Sequence, residues 1–197
     1  MNSPFAYLLE TFGSPIYLND ESTSRKAVID TPQMSVTSVK QFDDLRIRSP
    51  FIIKRGDSVK YNNVPYLIMS DVQTIKTDFY QSLIRPTTNT ISIRVQEEER
   101  EIIGYTDLMQ PIYGDIIQEE VIEDVPCIIK QETFRINAQE IVIAESQIQL
   151  ILGDNYKSQK VQVNDEYILF DKTYKFTDIN LFQQGLRLFT AERVQNN

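Results

Sequence analysis

Isoleucine, valine, threonine, phenylalanine and tyrosine supply 72 of the 197 residues, against 13 leucines and five alanines. β-Branched and aromatic side chains lose rotamer freedom on a helix and pack well on a pleated surface. This balance directs the chain towards strands. The expected fold class is mainly β, in small antiparallel β-barrel or sandwich modules, with a short N-terminal helix and an extended arm. At 197 residues one core of ordinary size needs no disulfide or metal staple.

The helix is written at the start. Phe5, Leu8, Leu9 and Phe12 recur at helical spacing. Ser3 stands as N-cap, Pro4 as the first helical residue and Gly13 as the stop, with Pro15 blocking continuation. A helix this short is marginal alone, so its apolar stripe needs a surface. The expectation is that Phe5, Leu8, Leu9 and Phe12 dock on a neighbouring subunit and are not the centre of the main core.

Residues 19–50 are polar and weakly periodic and read as an arm, with one strand near Met34 to Val39. From Phe51 short strands follow. Ile91-Ser92-Ile93-Arg94-Val95 alternates strictly, and Asn62-Asn63 is a hairpin turn signal. Ile117, Val121 and Val125 lie four apart, which suggests a short helix ended by Pro126. The resulting division is 1–50 helix and arm, 51–96 first β-module, 97–127 acidic connecting segment and 128–197 second β-module. A weak repeat links the modules. Gly56-Asp57 matches Asn164-Asp165 and Tyr66 matches Tyr174 at an offset of 108, and Asp71-Val72 matches Asp178-Ile179. Leu83-Ile84-Arg85 is set against Leu186-Arg187-Leu188. Duplicated barrels and generic hairpin grammar both account for this pattern.

The charge is local. Residues 96–124 carry ten acids and one base, a net of −9, and the rest of the chain is +1. No broad basic face is visible, so tight sequence-independent duplex binding is not expected. Glu97, Glu98, Glu99, Glu101, Glu119, Glu120, Glu123 and Asp124 form a candidate electrostatic surface that repels phosphate or attracts a basic partner. Adjacent acids point in several directions and do not make a metal site.

Zero histidines and a single cysteine remove Ser/His/Asp and Cys/His triads, His-ligated zinc and intrachain disulfides. Cys127 has apolar neighbours and no activating base. Arg55-Gly56-Asp57 reads as a turn more readily than as an adhesion motif, and Asp154-Asn155 with Asp165 as turn chemistry more readily than as a calcium loop. Arg85, Arg94 and Arg187 fit either phosphate contacts or cross-strand pairing with carboxylates. No enzyme, cofactor or metal is expected. No apolar run approaches a membrane span, and the first residues show no secretory signal.

Arg55 to Val72, followed by Tyr80-Gln81-Ser82-Leu83-Ile84-Arg85, resembles the head-closure and connector proteins of long-tailed bacteriophages and prophages of Gram-positive bacteria. These share a Gly-Asp turn, a strand, a polar turn, a Tyr-Leu-Ile run, Asp-Val, and a later strand ending in arginine. Leu152 to Asn155, Asn164-Asp165, Tyr174 to Asn180 and Gly185 to Leu188 are similar to the back half of those proteins. The resemblance implies a structural virion part made in the bacterial cytoplasm: a sixfold or twelvefold neck ring that joins portal or adaptor to tail and helps retain packaged DNA. The implied partners are further copies of the chain, portal and tail proteins, and DNA passing without sequence-specific contact. The alternative is a soluble acidic protein that binds a host partner.

Overall fold

The computed structural model describes residues 4–32, 43–75, 79–106, 108–131, 133–136, 139–142 and 147–194. Helix α1 (Pro4–Phe12) leads into β1 (Ser14–Leu18), β2 (Arg25–Asp30), β3 (Leu45–Ser49), β4 (Ser58–Tyr61), β5 (Val64–Ile68), β6 (Gln73–Ile75) and β7 (Phe79–Pro86). There follow β8 (Asn89–Tyr105), β9 (Pro111–Gln131), β10 (Thr133–Ile136), β11 (Gln139–Val142), β12 (Gln147–Gly153), β13 (Glu166–Leu169), β14 (Lys172–Asn180) and β15 (Leu186–Arg193). The fold is mainly β with one short N-terminal helix, as composition implies. Ser3 and the Met34–Val39 strand lie outside the described residues. Gly13 ends α1 by close approach, not by a left-handed backbone. Its N–H donates to the Leu9 carbonyl at 3.0 Å, and a Cβ there would sit 2.1 Å from the same oxygen.

The first sheet closes on itself. β1 pairs with β2 and β4, β4 with β5, β5 with β7, β7 with β3 and β3 with β2, all antiparallel. Closure leaves no free edge in this ring of six strands. Alternate residues turn inward, so Ile16, Leu18, Ala27, Ile47, Val59, Ile68 and Ile84 form one buried core. Two of these strands correct the expected 19–50 arm. β2 and β3 are walls of this barrel, and their outward arginines, Arg46 and Arg48, reach Asp30 across the β2–β3 pair at 2.7 and 3.1 Å.

The second sheet has the order β13-β14-β15-β12-β9-β8. Its inner face buries Ile91, Ile93, Val125, Cys127, Leu150, Leu152, Phe176 and Phe189. Two expectations change here. Ile91–Val95 is a strand, but within β8 it belongs to this sheet and not to the module of residues 51–96. Ile117 to Val125 is part of strand β9, not a helix. Residues four apart share a face of a strand as well as of a helix, and the Ile and Val at those positions favour the strand.

Register shows that the repeat is architectural. In the first sheet Gly56 N–H donates to Ile68 O at 2.9 Å and Ile68 N–H to Asp57 O at 3.0 Å. Asn164 with Phe176 and Phe176 with Asp165 repeat both bonds at 2.8 and 2.9 Å. Asp57 accepts from the Lys54 N–H at 2.7 Å, and Asp165 from the Gln162 N–H at 2.8 Å. The ring order β1-β2-β3-β7-β5-β4 becomes β8-β9-β12-β15-β14-β13. Ile68 pairs with Ile84 and Phe176 with Ala191, so Ile84 answers to Ala191. The match of Leu83–Arg85 with Leu186–Leu188 is therefore out of register. The two copies differ at closure. β1 and β4 are hydrogen-bonded, whereas no ladder joins β8 and β13 among the described residues.

The sheets meet through their outer faces. Leu67 from the first packs with Ile128, Ile151 and Leu186 from the second, which is why β5, β9 and β12 are apolar on both sides. Three of the six glycines bring the backbones together. A Cβ on Gly56 would fall 1.7 Å from the Gly185 carbonyl, one on Gly153 2.2 Å from the Gly56 carbonyl, and one on Gly185 2.1 Å from the Arg55 carbonyl. Gly56 and Gly185 also hold φ of +89° and +86°. Gly153 has no such φ, so Gly153→Ala tests the contact alone. It should lower stability by about 1–3 kcal/mol, as overpacking does. Urea denaturation checks this, and unchanged stability contradicts the seam.

The equivalent hairpin turns diverge chemically. Asn62 and Asn63 hold φ of 50° and 62°, and Phe170 and Asp171 hold 52° and 58°. Asn and Asp tolerate this region, but a phenylalanine does so only with strain. Phe170 is 61% exposed, so its ring recovers little by burial. Phe170→Asn should stabilise the isolated chain by about 1 kcal/mol. A fall in the unfolding midpoint would show instead that the ring supports the fold.

Candidate functional site

β8 and β9 are the longest strands, 17 and 21 residues. Their pairing runs from Asn89↔Cys127 at the base to Tyr105↔Pro111 at the tip. Ile91, Ile93 and Val125 at the base of the hairpin belong to the core, and β12 pairs with β9 from Ile128 to Gln131. Beyond that the hairpin is a two-stranded ribbon, with register shifts between Arg100, Ile102 and Gly104. Two-stranded ribbons are marginal alone.

The candidate acids map onto this ribbon. Glu97 stands opposite Glu119, Gln96 opposite Glu120, Glu98 opposite Gln118 and Glu99 opposite Ile117, with Glu101 at the shifted stretch. The Glu97↔Glu119 pairing sets like charges across the strands, which opposes the ribbon. At the base two acids are engaged. Glu123 forms an ion pair with Lys157, whose ammonium it holds above the ordinary lysine value, and Ser92 Oγ donates to Asp124 at 2.7 Å. The connecting segment expected for 97–127 is thus one hairpin.

The ribbon tip is apolar, which the charge pattern hid. Thr106 N–H donates to Gln110 O at 2.8 Å and Met109 N–H to Thr106 O at 2.9 Å, closing a tight turn. Leu108 and Met109 are each 82% exposed, and Tyr105 and Ile112 are exposed beside them. The hairpin thus combines an acid-rich sequence along its strands with an exposed apolar end.

The helical stripe divides. Phe5 is buried and stacks on Phe79 with centroids 4.4 Å apart, so it holds α1 to its own barrel. Leu8 and Leu9 are half-buried, and Phe12 faces solvent.

Other marked residues serve the fold. Arg85 grips Asp44 through two bonds of 2.7 and 2.8 Å, and Arg187 Nε donates to Asp154 at 2.7 Å. That bond holds the Asp154 carboxyl below its ordinary value. Cross-strand or loop pairing, not phosphate, occupies these two arginines, while Arg94 is exposed on β8. In Arg55-Gly56-Asp57 the arginine pairs with Asp71, the glycine sits in the seam and Asp57 accepts from Lys54 and Asn19. Asn155 Oδ1 accepts from the Lys157 and Ser158 N–H groups at 3.0 Å each, the turn chemistry expected there. A recess of about 340 Å³ opens where β8 and β13 diverge, lined by Thr90, Pro126, Ile168 and Phe170 among others.

Cys127 is fully buried, and desolvation pushes its thiol up to about 12. The neutral thiol is unreactive at ordinary pH. Alkylation by iodoacetamide at pH 8 should therefore track unfolding of the second sheet. Rapid labelling of the folded chain contradicts this burial.

Two family models match the chain. The YomX N-terminal domain covers residues 1–86, ending at the last residue of β7, and the YomX C-terminal domain covers 113–192. No curated protein matches. The first domain contains the whole closed barrel. The second begins within β9 and takes in the rest of the second sheet except β8. The chain thus carries matches to both YomX domains, named after a Bacillus prophage protein, in order over most of its length, and these mark it as phage-derived.

Proposed function

We propose that the chain is a structural subunit of a phage particle, acting at the neck as a head-to-tail connector that joins portal or adaptor to tail and helps retain packaged DNA. The observation that carries this reading is the β8–β9 ribbon, an acidic arm with an exposed apolar tip on a duplicated barrel body. Such an arm suits contacts in which one face of a subunit meets a different face of the next. Those contacts close into a ring when the rotation allows. The resemblance of Arg55–Val72 and of Tyr174–Asn180 to connector proteins adds to it, as does phage derivation.

In this reading the work is mechanical and needs no cofactor or catalysis. The net charge of −9 over residues 96–124 keeps DNA from adhering where the ribbon faces a channel, because phosphate contacts otherwise accumulate. Cryo-electron microscopy of intact particles tests the proposal. The chain should occupy the neck in sixfold or twelvefold copy number. Its presence only in the infected cell would favour the host-binding alternative, and its presence only at the tail tip would place it in another part of the particle.

A further inference from the structure

The ion pairs of the first barrel sort its positive charge. Arg25 pairs with Glu21, Arg46 and Arg48 with Asp30, Arg55 with Asp71 and Arg85 with Asp44. Among the described residues of the first barrel, Lys26, Lys54 and Lys60 are exposed and have no carboxylate partner; Lys54 lies in the turn before β4, whereas Lys26 and Lys60 lie on strands. Lys26 and Lys60 share one outward row. Pro15 stands opposite Lys26 and Tyr17 opposite Lys60, and directly opposed residues of an antiparallel pair face the same side. Ile16, Leu18, Ala27 and Val59 take the inward side. The row across β2, β1 and β4 is therefore Lys26, Pro15, Tyr17, Lys60, with Tyr17 42% exposed between two free ammonium groups.

The ribbon carries the complementary chemistry. Its segment, residues 96–124, carries a net −9 against −8 for the whole chain, and its tip presents Leu108 and Met109. From Val95↔Val121 to Tyr105↔Pro111 it covers ten rungs' length of strand, or about 33 Å at ordinary strand rise. That matches the diameter of about 30 Å expected for a domain of this size, so the arm is long enough to cross onto a neighbouring barrel. The equivalent surface of the second module offers no such match. There Lys26 answers to Pro126, Tyr17 to Ser92 and Lys60 to Ile168.

We infer that the acidic ribbon of one copy docks on the Lys26–Pro15–Tyr17–Lys60 row of a second copy, with the apolar tip against Tyr17 and the acids of the shaft facing the two lysines. This rests on the proposed self-assembly and names its interface. Because the ribbon and the row are different surfaces, the contact is head-to-tail and propagates around a ring.

Charge exchange on the full-length chain tests it. Lys26→Glu with Lys60→Glu should lower the copy number per particle, and the self-association of purified chain in sedimentation, by about tenfold or more. Glu97→Lys with Glu119→Lys, which stand directly opposite each other on one face of the ribbon, should do the same. All four together should restore both to within about threefold. If the lysine pair of reversals disturbs folding, as read by the thermal midpoint, the neutral Lys26→Gln with Lys60→Gln replaces it and should give a smaller loss. Undiminished assembly of the lysine variants at the neck overturns the docking inference and leaves the connector reading standing. Absence of the wild-type chain from particles overturns the connector reading. Sedimentation then decides the interface alone: association that is lost and restored by the exchanges supports it, and a monomer at every concentration, or no restoration, overturns it.

Discussion

The backbone contact among Gly56, Gly153 and Gly185 is the constraint on which the rest of the structure depends. It lets the turn after Lys54 lie directly against the end of β12 and the start of β15, where any side chain would force the sheets apart. Leu67, Ile128, Ile151 and Leu186 then close over the remaining outer surfaces. Within the second sheet, Asp154 N–H fixes the Gly185 carbonyl beside this contact by donating to it at 2.9 Å, while its carboxylate takes Arg187. Close packing of backbones gains dispersion contacts but tolerates no added volume. Two barrels that each have their own core become one body through a small, steric contact.

Given that junction, the chain uses one architecture twice and alters its surface. The hydrogen bonds of the Gly56-Asp57 and Asn164-Asp165 turns, the left-handed hairpin turns and the order of strands are the same in both copies. What changes is where the β1–β2 and β8–β9 hairpins end. The first turns back after Leu18 within a few residues, and the second runs on as the ribbon. The first barrel is closed by β1 and β4, while the equivalent β8 and β13 diverge around a recess. Duplication thus supplies the body, and the departures from symmetry are the long ribbon and the recess.

The parts legible in the sequence were those set by local chemistry. Helix α1, the Asn62-Asn63 turn, the alternation in Ile91–Val95 and the Gly-Asp and Asn-Asp turn positions all follow from residues near in sequence. The repeat was visible at its turns because few residues accept those backbone angles. What was hidden depends on distant partners. Leu45-Arg46-Ile47-Arg48 alternates like a strand, but its arginines look like loop residues until Asp30 arrives beside them. The acids of 97–101 read as a solvated loop, since strands of 17 and 21 residues far exceed the usual five or six. Nothing beside Gly153 or Gly185 in the sequence marks a close approach of backbones, and only the tertiary contact shows it. Leu108 and Met109 carried no periodic signal at all.

In the proposed connector the ribbon is an arm that gains a partner on assembly, attached to a body stabilised as one unit. Native-state hydrogen exchange on the full-length chain, free and within particles, addresses it most directly. Amides of β5, β7, β12 and β15 should share the protection set by global unfolding. Those of residues 95–121 should exchange far faster in the free chain, because each ribbon strand has a single neighbour, and should become protected in the particle. Protection of the ribbon equal to that of the barrels in the free chain, or no gain on assembly, would contradict the account.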